Sequence, residues 1–183
     1  MKYLTAGKAG VQELRAIGLY LYLSRMNGLT HLSHDGKAQM VDVSEKNPTK
    51  RIAVAEARVQ LPDQVLTLLD GDEIKMPKGA VFQTAVLAGV MAAKKTSDLI
   101  PLCHPLPLDN MQIDIAMDGN EAVITSTATV HAKTGAEMEA MTAACLAALT
   151  IYDMCKAASH HITIKEVKLM RKTGGKNDFD RNA

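Results

Sequence analysis

Apolar and polar residues alternate along several stretches of the chain, and a period of two predicts β-strands. The first such stretch is Ile52 to Leu61, whose even alternation places its apolar side chains on one side. A second runs from Met111 to Met117, and a third runs from Ala122 to His131. Because Asp118-Gly119 stands between them as a turn, these two stretches predict a β-hairpin. The last strand is predicted over Ile162 to Leu169.

Apolar residues also recur at spacings of three and four from about Ala136 to about Ala158, which predicts one long helix. Thr134 to Glu137 has the spacing of a capping box at its start. A second helix is predicted after Gly79, and Pro62 opens a short one. The second helix has a narrow face of small residues that can lie close to a sheet or another helix. These residues are Ala85, Ala88, Gly89, Ala92 and Ala93.

The predicted order is strand, helices, strand, strand, helix, strand. This is the order of the split βαβ arrangement, so we predict an α+β fold: a ferredoxin-like split βαβ sheet with helices packed on one face. The other sheet face is then uncovered. We expect it to be apolar and buried against a second copy of the chain, which predicts a homo-oligomer.

The chain divides by composition into three parts. Residues 1–28 are predicted to be an N-terminal extension, which we expect to be helical, with Met26 as an alternative start. Residues 29–176 form a single predicted domain, and residues 177–183 a C-terminal tail. Gly174-Gly175 lacks the upstream glycine and the following serine or threonine of a Walker motif, so we expect a frayed basic tail there.

Charge and composition narrow the function classes. A net charge of +1 and 3% aromatic residues in 183 residues argue against a nucleic-acid partner. The three cysteines are odd in number and form no CxxC pair, which predicts free thiols in a reducing compartment, the cytoplasm. Cys145 and Cys155 are expected in the core. The apolar runs are shorter than the ~20 residues that a membrane span needs.

The segment from Ser97 to Leu108 contains three prolines, which predict a stiff extended loop. Its leucines are too apolar for a mobile surface loop, so we expect it to pack on the core and to present His104 at a fixed position. A hydrogen-bonded core histidine is the alternative interpretation of His104. Cys103 has no nearby base in sequence that would make it a nucleophile.

Several charged residues allow two interpretations. Asp153 and Lys156 project from neighbouring positions of the long helix, either as an ordinary ion pair or as a proton-transfer pair in a cleft. Lys78, just before a glycine and a helix start, is either a phosphate-binding lysine or a solvated one. Glu137 fits a helix cap, and Glu139 would be stabilised by the helix dipole whatever its function.

Taken together, several motifs resemble one family, the cyclic pyranopterin monophosphate synthases, also called molybdenum cofactor biosynthesis protein C. The matches cover essentially everything after residue 28. They are LTH at Leu29 to His31, MVDVS with Lys46, Thr49 and Arg51, KG at Lys78, AAKKTSDLIPLCHPL, TGAEMEAMTAA, LTIYDMCK and KTGGK. Ala80 departs from the pattern, because an aspartate that would cap a helix often stands there.

The resemblance implies an enzyme, a phosphorus-oxygen lyase that converts 3′,8-cyclo-7,8-dihydro-GTP to cyclic pyranopterin monophosphate with release of pyrophosphate. It also implies a hexamer, a trimer of dimers, with sites between protomers. By matching motif, it implies Asp153, Lys156 and Lys78 as catalytic residues. The substrate-binding residues it implies are Leu102, Cys103, His104, Met138, Glu139, Glu137, Lys46 and Arg51.

We expect no cofactor and no dedicated metal site, although Mg²⁺ carried by the pyrophosphate group is compatible with the chemistry. Two other functions remain open from the residues alone. One is a non-catalytic ferredoxin-like small-molecule-binding regulatory module, since fold does not fix function. The other is a different nucleotide phosphohydrolase that uses His104.

Overall fold

The computed structural model describes residues 38–183, of which Asp42–Ala183 form one compact unit. The predictions for the extension 1–28 and for the motif Leu29 to His31 lie outside the described residues. All other predicted elements and site residues fall within the compact unit.

An antiparallel sheet of five strands forms the centre of the unit, in the order β5-β6-β1-β7-β8. Its strands are β1 Thr49–Gln60, β5 Asn110–Asp118, β6 Glu121–Ala132, β7 Thr163–Thr173 and β8 Phe179–Asp180. A second, small sheet consists of β2 Leu69–Asp70, β3 Glu73–Met76 and β4 Gly79–Ala80. The predicted hairpin is confirmed, with Gly119 in its turn at φ 61°.

The helices are α1 Asp63–Leu66, α2 Val81–Ala93, α3 Thr96–Leu99 and α4 Glu137–Cys155. The two long helices, α2 and α4, pack against each other and on one face of the sheet. They approach closely at Gly89, where an added Cβ would collide with Ile113 and lie 2.9 Å from the carbonyl oxygen of Ala143. The predicted α+β fold, a ferredoxin-like split βαβ sheet with helices on one face, is confirmed.

The inner sheet face forms the core as the alternation predicts. Ala53, Ala55, Ala57 and Val59 of β1 are each at most 1% exposed. They pair with buried residues of β6, and Ser126 of that strand satisfies its hydroxyl by donating to the carbonyl of Ala140 in α4 at 2.7 Å. Small side chains on both layers therefore bring α4 close to the central strands.

The outer sheet face is largely polar, so the prediction that it is apolar is wrong. The register places a row of threonines of β6 on it, beside Glu56 and Arg58 of β1. Arg58 contacts the carboxylates of Glu56, Asp118 and Glu121 at 3.0 to 3.1 Å. Since the argument for a second copy rested on an apolar face here, it does not hold for this surface. The homo-oligomer itself stays a prediction.

The C-terminal segment is ordered against the sheet, contrary to the frayed tail predicted. β8 pairs with Arg171 and Lys172 of β7. Gly174 adopts φ 81°, its N–H donates to Asp178 at 3.0 Å, and its carbonyl accepts from Thr49 at 2.8 Å. The tail is therefore an edge strand joined to the start of β1.

Two local predictions about α4 are wrong. Its N-cap is Ala136, with no side-chain cap, so the capping box predicted at Thr134 does not form. Cys145 is exposed rather than buried, whereas Cys155 is buried as predicted. By length and mean hydropathy α4 could cross a membrane. However, 56% of its most apolar 18-residue stretch is buried inside the fold, as in a core helix.

Candidate functional site

Two lysines and one aspartate meet at the C-terminal end of α4. Lys156 Nζ lies 2.6 Å from Asp153 Oδ1, and Lys78 Nζ lies 3.5 Å from Asp153 Oδ2. All three side chains are about half exposed. We call Lys78, Asp153 and Lys156 the lysine–aspartate cluster.

Local structure explains the cluster. Asp153 and Lys156 are neighbours on one helical face because they are three residues apart. Lys78 comes from the two-residue turn between β3 and β4, a hairpin joined by the pairs Lys75–Ala80 and Met76–Gly79. The ion pair expected between Asp153 and Lys156 is present, and the hairpin adds a second cation to it.

The electrostatics of the cluster keep Asp153 ionised. The hydrogen bond from Lys156 and its charge, followed by the charge of Lys78, hold the pKa of the Asp153 carboxyl below its ordinary value. The same contact raises the pKa of Lys156. Asp153 is therefore a carboxylate at neutral pH, which suits a proton acceptor or a partner that orients the two ammonium groups.

An open groove adjoins the cluster along α4. It is lined by Leu146, Leu149, Thr150 and Tyr152 together with Asp153 and Lys156. Leu149 of this groove is 50% exposed. The cluster thus lies at the edge of an apolar surface rather than in a closed pocket of this chain.

A second constellation lies at the other end of α4, around a cavity of about 130 Å³. Arg51, Glu137, Lys172 and Lys176 line this cavity, and we call it the arginine pocket. Lys172 Nζ contacts Glu137 Oε1 at 3.0 Å, and Arg51 reaches the carbonyl of Lys133 at 3.4 Å. Arg51 Nε is buried and has no hydrogen-bond partner among the described residues. Three cations around one carboxylate, with an unsatisfied donor, form a site that suits an anion.

Glu139 and Cys103 lie near this pocket. Glu139 is 4% exposed, and its burial raises the pKa of its carboxyl. Burial also raises the pKa of the Cys103 thiol, and the charges of Glu139 and Glu137 raise it further. Because both glutamates are in the first turn of α4, their effect on Cys103 indicates that the proline loop lies near the start of this helix. The same effect keeps Cys103 a neutral thiol, so it is not an activated nucleophile.

The remaining predicted residues have simpler positions. Leu102 and His104 flank Cys103 in the proline loop and are partly buried, as is Met138 in the first turn of α4. Lys46 is exposed in a turn just before β1, and this turn is tied to Lys133 through the carbonyl of Ser44 at 2.7 Å. The structure thus groups the predicted residues at two ends of α4 rather than around one point.

The predicted phosphate site at the start of α2 is not formed. The N–H groups of Phe82 and Gln83, which a phosphate would need, donate to the carboxylate of Glu73 at 2.8 and 3.1 Å. An anion at this helix start would find these donors occupied and would be repelled by the negative charge of Glu73. Lys78 faces Asp153 instead.

Sequence reasoning did not select Lys172 and Lys176, which line the arginine pocket. The signal available for them is the KTGGK motif, which belongs to the resemblance but by its composition predicts a frayed basic tail. Pairing of β8 with β7 is what fixes these lysines beside Arg51. Between residues 38 and 183, no three His, Cys, Asp or Glu side chains are placed to hold a metal ion.

Comparison with known proteins gives a family and close relatives. The model of the MoaC family matches residues 40–175. A cyclic pyranopterin monophosphate synthase of Xanthomonas campestris pv. campestris (strain 8004) is 48% identical over 153 residues, which are 82% of this chain and 92% of that protein. The synthase of Xanthomonas axonopodis pv. citri (strain 306) is 49% identical over 157 residues, 85% of this chain and 95% of that protein. The lysine–aspartate cluster lies inside the range 40–175 that the family model matches, and so does most of the arginine pocket.

Proposed function

Because the chain belongs to the MoaC family, we propose that it is a cyclic pyranopterin monophosphate synthase, a lyase of molybdenum cofactor biosynthesis. Its substrate would be 3′,8-cyclo-7,8-dihydro-GTP and its products cyclic pyranopterin monophosphate and pyrophosphate. The observation that carries the proposal is the lysine–aspartate cluster, in a chain 48% identical to a protein of that name. No observation favours the regulatory binding module or the phosphohydrolase.

The cluster supplies what the rearrangement of the purine requires. Opening one ring and closing another needs successive proton transfers, which positioned acids and bases accelerate by ~10²–10⁴-fold each. Asp153, ionised between two ammonium groups, would accept a proton, and Lys78 or Lys156 would donate one or neutralise developing negative charge. Glu139, the pKa of whose carboxyl is raised by burial, would take part in proton exchange at the other end of α4.

The arginine pocket supplies what the triphosphate requires. Forming the cyclic phosphate expels pyrophosphate, so negative charge must be neutralised on both the reacting and the leaving phosphates. Arg51, Lys172 and Lys176 would hold these oxygens, with Lys46 approaching from its turn. Mg²⁺ carried by the pyrophosphate group is compatible with this arrangement and needs no further protein ligand.

Helix geometry supports a site shared between two chains. At about 1.5 Å of rise per residue, the fourteen residues from Glu139 to Asp153 span roughly 21 Å of α4, too far for one reacting centre. A second copy that brings its own α4 alongside would place one chain's lysine–aspartate cluster near the other's arginine pocket. The exposed Leu87, Met91 and Leu149 on the helical layer offer an apolar surface for such contacts. We propose a hexamer, a trimer of dimers, in the cytoplasm.

The direct test is conversion of the cyclised GTP derivative. Purified protein is incubated with 3′,8-cyclo-7,8-dihydro-GTP, pyrophosphate release is measured, and the product is oxidised to a fluorescent pterin. We expect both signals to rise in proportion to enzyme. Asp153→Asn protein serves as the matched control, and a wild-type signal no higher than that of the control would contradict the proposed function.

A further inference from the structure

Glu73, the first residue of β3, makes three hydrogen bonds to backbone N–H groups. Its Oε1 accepts from Ile74 and from Phe82, both at 2.8 Å, and its Oε2 accepts from Gln83 at 3.1 Å. Phe82 and Gln83 are the second and third residues of α2. One carboxylate thus joins the start of a hairpin to the start of a helix.

The helix needs this carboxylate because its own cap is absent. The N-cap residue is Ala80, with φ −70° and ψ 121° and no side-chain cap. Unsatisfied N–H groups at a helix start require an acceptor, and a negative charge there is also stabilised by the helix dipole. Glu73 therefore fulfils, from seven residues upstream, the role of a capping side chain.

Lys78 lies in the turn between Glu73 and the start of α2, the two points that these hydrogen bonds join. The hydrogen bonds of Glu73 therefore restrict where Lys78 can lie. The hairpin itself is held by only two residue pairs, Lys75–Ala80 and Met76–Gly79. Burial raises the pKa of the Cys155 thiol to about 11, and the charge of Glu73 contributes to this rise. Glu73 therefore also lies near α4. Cys155 lies in the last turn of that helix, two residues after Asp153.

We infer that Glu73 is a positioning residue, which holds the β3–β4 hairpin against α2 so that Lys78 stays in contact with Asp153. This inference rests on the proposed function, in which Lys78 and Asp153 act on the substrate. Glu73 itself contacts neither of them and acts through the hairpin. A purely structural cap would stabilise the fold without affecting the charge environment of Asp153.

Glu73→Ala is the primary variant, and Ala80→Asp in that background separates the cap from the anchor. An aspartate at an N-cap in extended conformation accepts from the same N–H groups, so it restores the cap of α2 without the link from β3. Asp70→Ala is the matched control, because Asp70 is the backbone partner of Glu73 in the β2–β3 ladder and its side chain forms an ion pair only with Lys75 among the described residues. Glu73→Gln, which keeps the shape and one carbonyl oxygen, guards against a Glu73→Ala protein that does not fold.

For Glu73→Ala we expect kcat to fall by roughly 10- to 100-fold, because displacement of a catalytic group by about 1 Å costs up to that much. The acid limb of the kcat profile should move to higher pH, since Asp153 loses part of the positive charge that lowers its pKa. Glu73→Gln should show a smaller change of both quantities. Ala80→Asp should restore protection of the α2 amides but leave kcat and the pH profile close to those of Glu73→Ala, and Asp70→Ala should leave both quantities as in the wild type.

Hydrogen exchange of the Phe82 and Gln83 amides, measured in parallel, reports the cap itself. Faster exchange in Glu73→Ala with wild-type kcat and pH profile would overturn the inference, as would full recovery of kcat with amide protection in Ala80→Asp, because capping alone would then explain the effect. If the wild-type protein makes no pterin, the proposed function fails, and the inference is then judged by ¹³C titration of the Asp153 carboxyl. A pKa of Asp153 that does not rise in Glu73→Ala would overturn it independently.

Discussion

Lys78 Nζ lies 3.5 Å from Asp153 Oδ2, across a contact between a surface hairpin and the last turn of α4. Neither element alone would bring Lys78 and Asp153 together. The helix supplies Asp153 with one cation, Lys156, and the hairpin supplies the second. Asp153 is thereby an anion between two cations, and its titration reports whether both elements are in place.

Asp153→Asn should lower kcat by at least about 100-fold, because it removes the titrating group while keeping the shape of the side chain. The residue is exposed and makes only ion-pair contacts, which contribute little to stability at a surface. Circular dichroism and thermal unfolding should therefore match the wild type. Near-normal turnover in a well-folded variant would remove Asp153 from the mechanism.

The pKa of Asp153 should respond unequally to its two lysines. The hydrogen bond and charge of Lys156 lower it most, and the charge of Lys78 lowers it less. ¹³C NMR titration should thus show the pKa rising further in Lys156→Met than in Lys78→Met. Lys94→Met, a change of an exposed lysine at the end of α2, is the control. Equal shifts in all three variants would indicate a general charge effect rather than the cluster.

Much of the fold follows from local patterns, as β1 shows. Its period of two puts Ala53, Ala55, Ala57 and Val59 on one face, and this face is buried in the core. The small size of these side chains lets the helical layer pack close to the sheet. The cap of α2 could not be predicted in this way, since Glu73 reaches it through a hairpin that only the folded chain forms. The motifs indicated which residues belong to a site. The long helix predicted from about Ala136 to about Ala158 already places Glu139 near its start and Asp153 near its end.

Glu139→Gln should stabilise the isolated fold at neutral pH. Burial raises the pKa of the Glu139 carboxyl, so in the folded state it binds a proton more readily than in the unfolded state. The stability it contributes is then lost as pH rises from the ordinary glutamate pKa through the folded one. In urea unfolding, the difference between variant and wild type should grow over that window. A constant difference across pH would contradict a raised pKa for Glu139.

Gly174→Ala should destabilise the junction between the tail and β1. Gly174 has φ 81°, and an added Cβ would collide with the backbone carbonyl of Lys50. Gly119→Ala is the matched control, because its φ is 61° and no atom lies within 4 Å of the added Cβ. The control should lose about 1–2 kcal/mol for backbone strain alone, and Gly174→Ala more, as measured by urea unfolding. Equal losses would show that the tail is not packed on β1.

The separation of Glu139 and Asp153 along α4 leads to a test of the shared site. If one chain supplies the arginine pocket and Glu139 while its neighbour supplies the lysine–aspartate cluster, each site needs two intact halves from different chains. Glu139→Ala and Lys156→Ala proteins should each be inactive alone. Co-assembled from denaturant, they should regain a fraction of wild-type turnover, because some interfaces then unite an intact Glu139 with an intact Lys156.

The control for this experiment is a mixture of Lys78→Ala and Lys156→Ala proteins. Both changes lie in the same cluster, so on the shared-site arrangement every mixed interface still contains a damaged cluster, and no activity should return. Mixed oligomers are verified by mass spectrometry with differently tagged chains. Verified mixtures of Glu139→Ala and Lys156→Ala that remain as inactive as the control would show that each site is built within one chain, and that the ~21 Å between the two ends of α4 is not spanned by a neighbour.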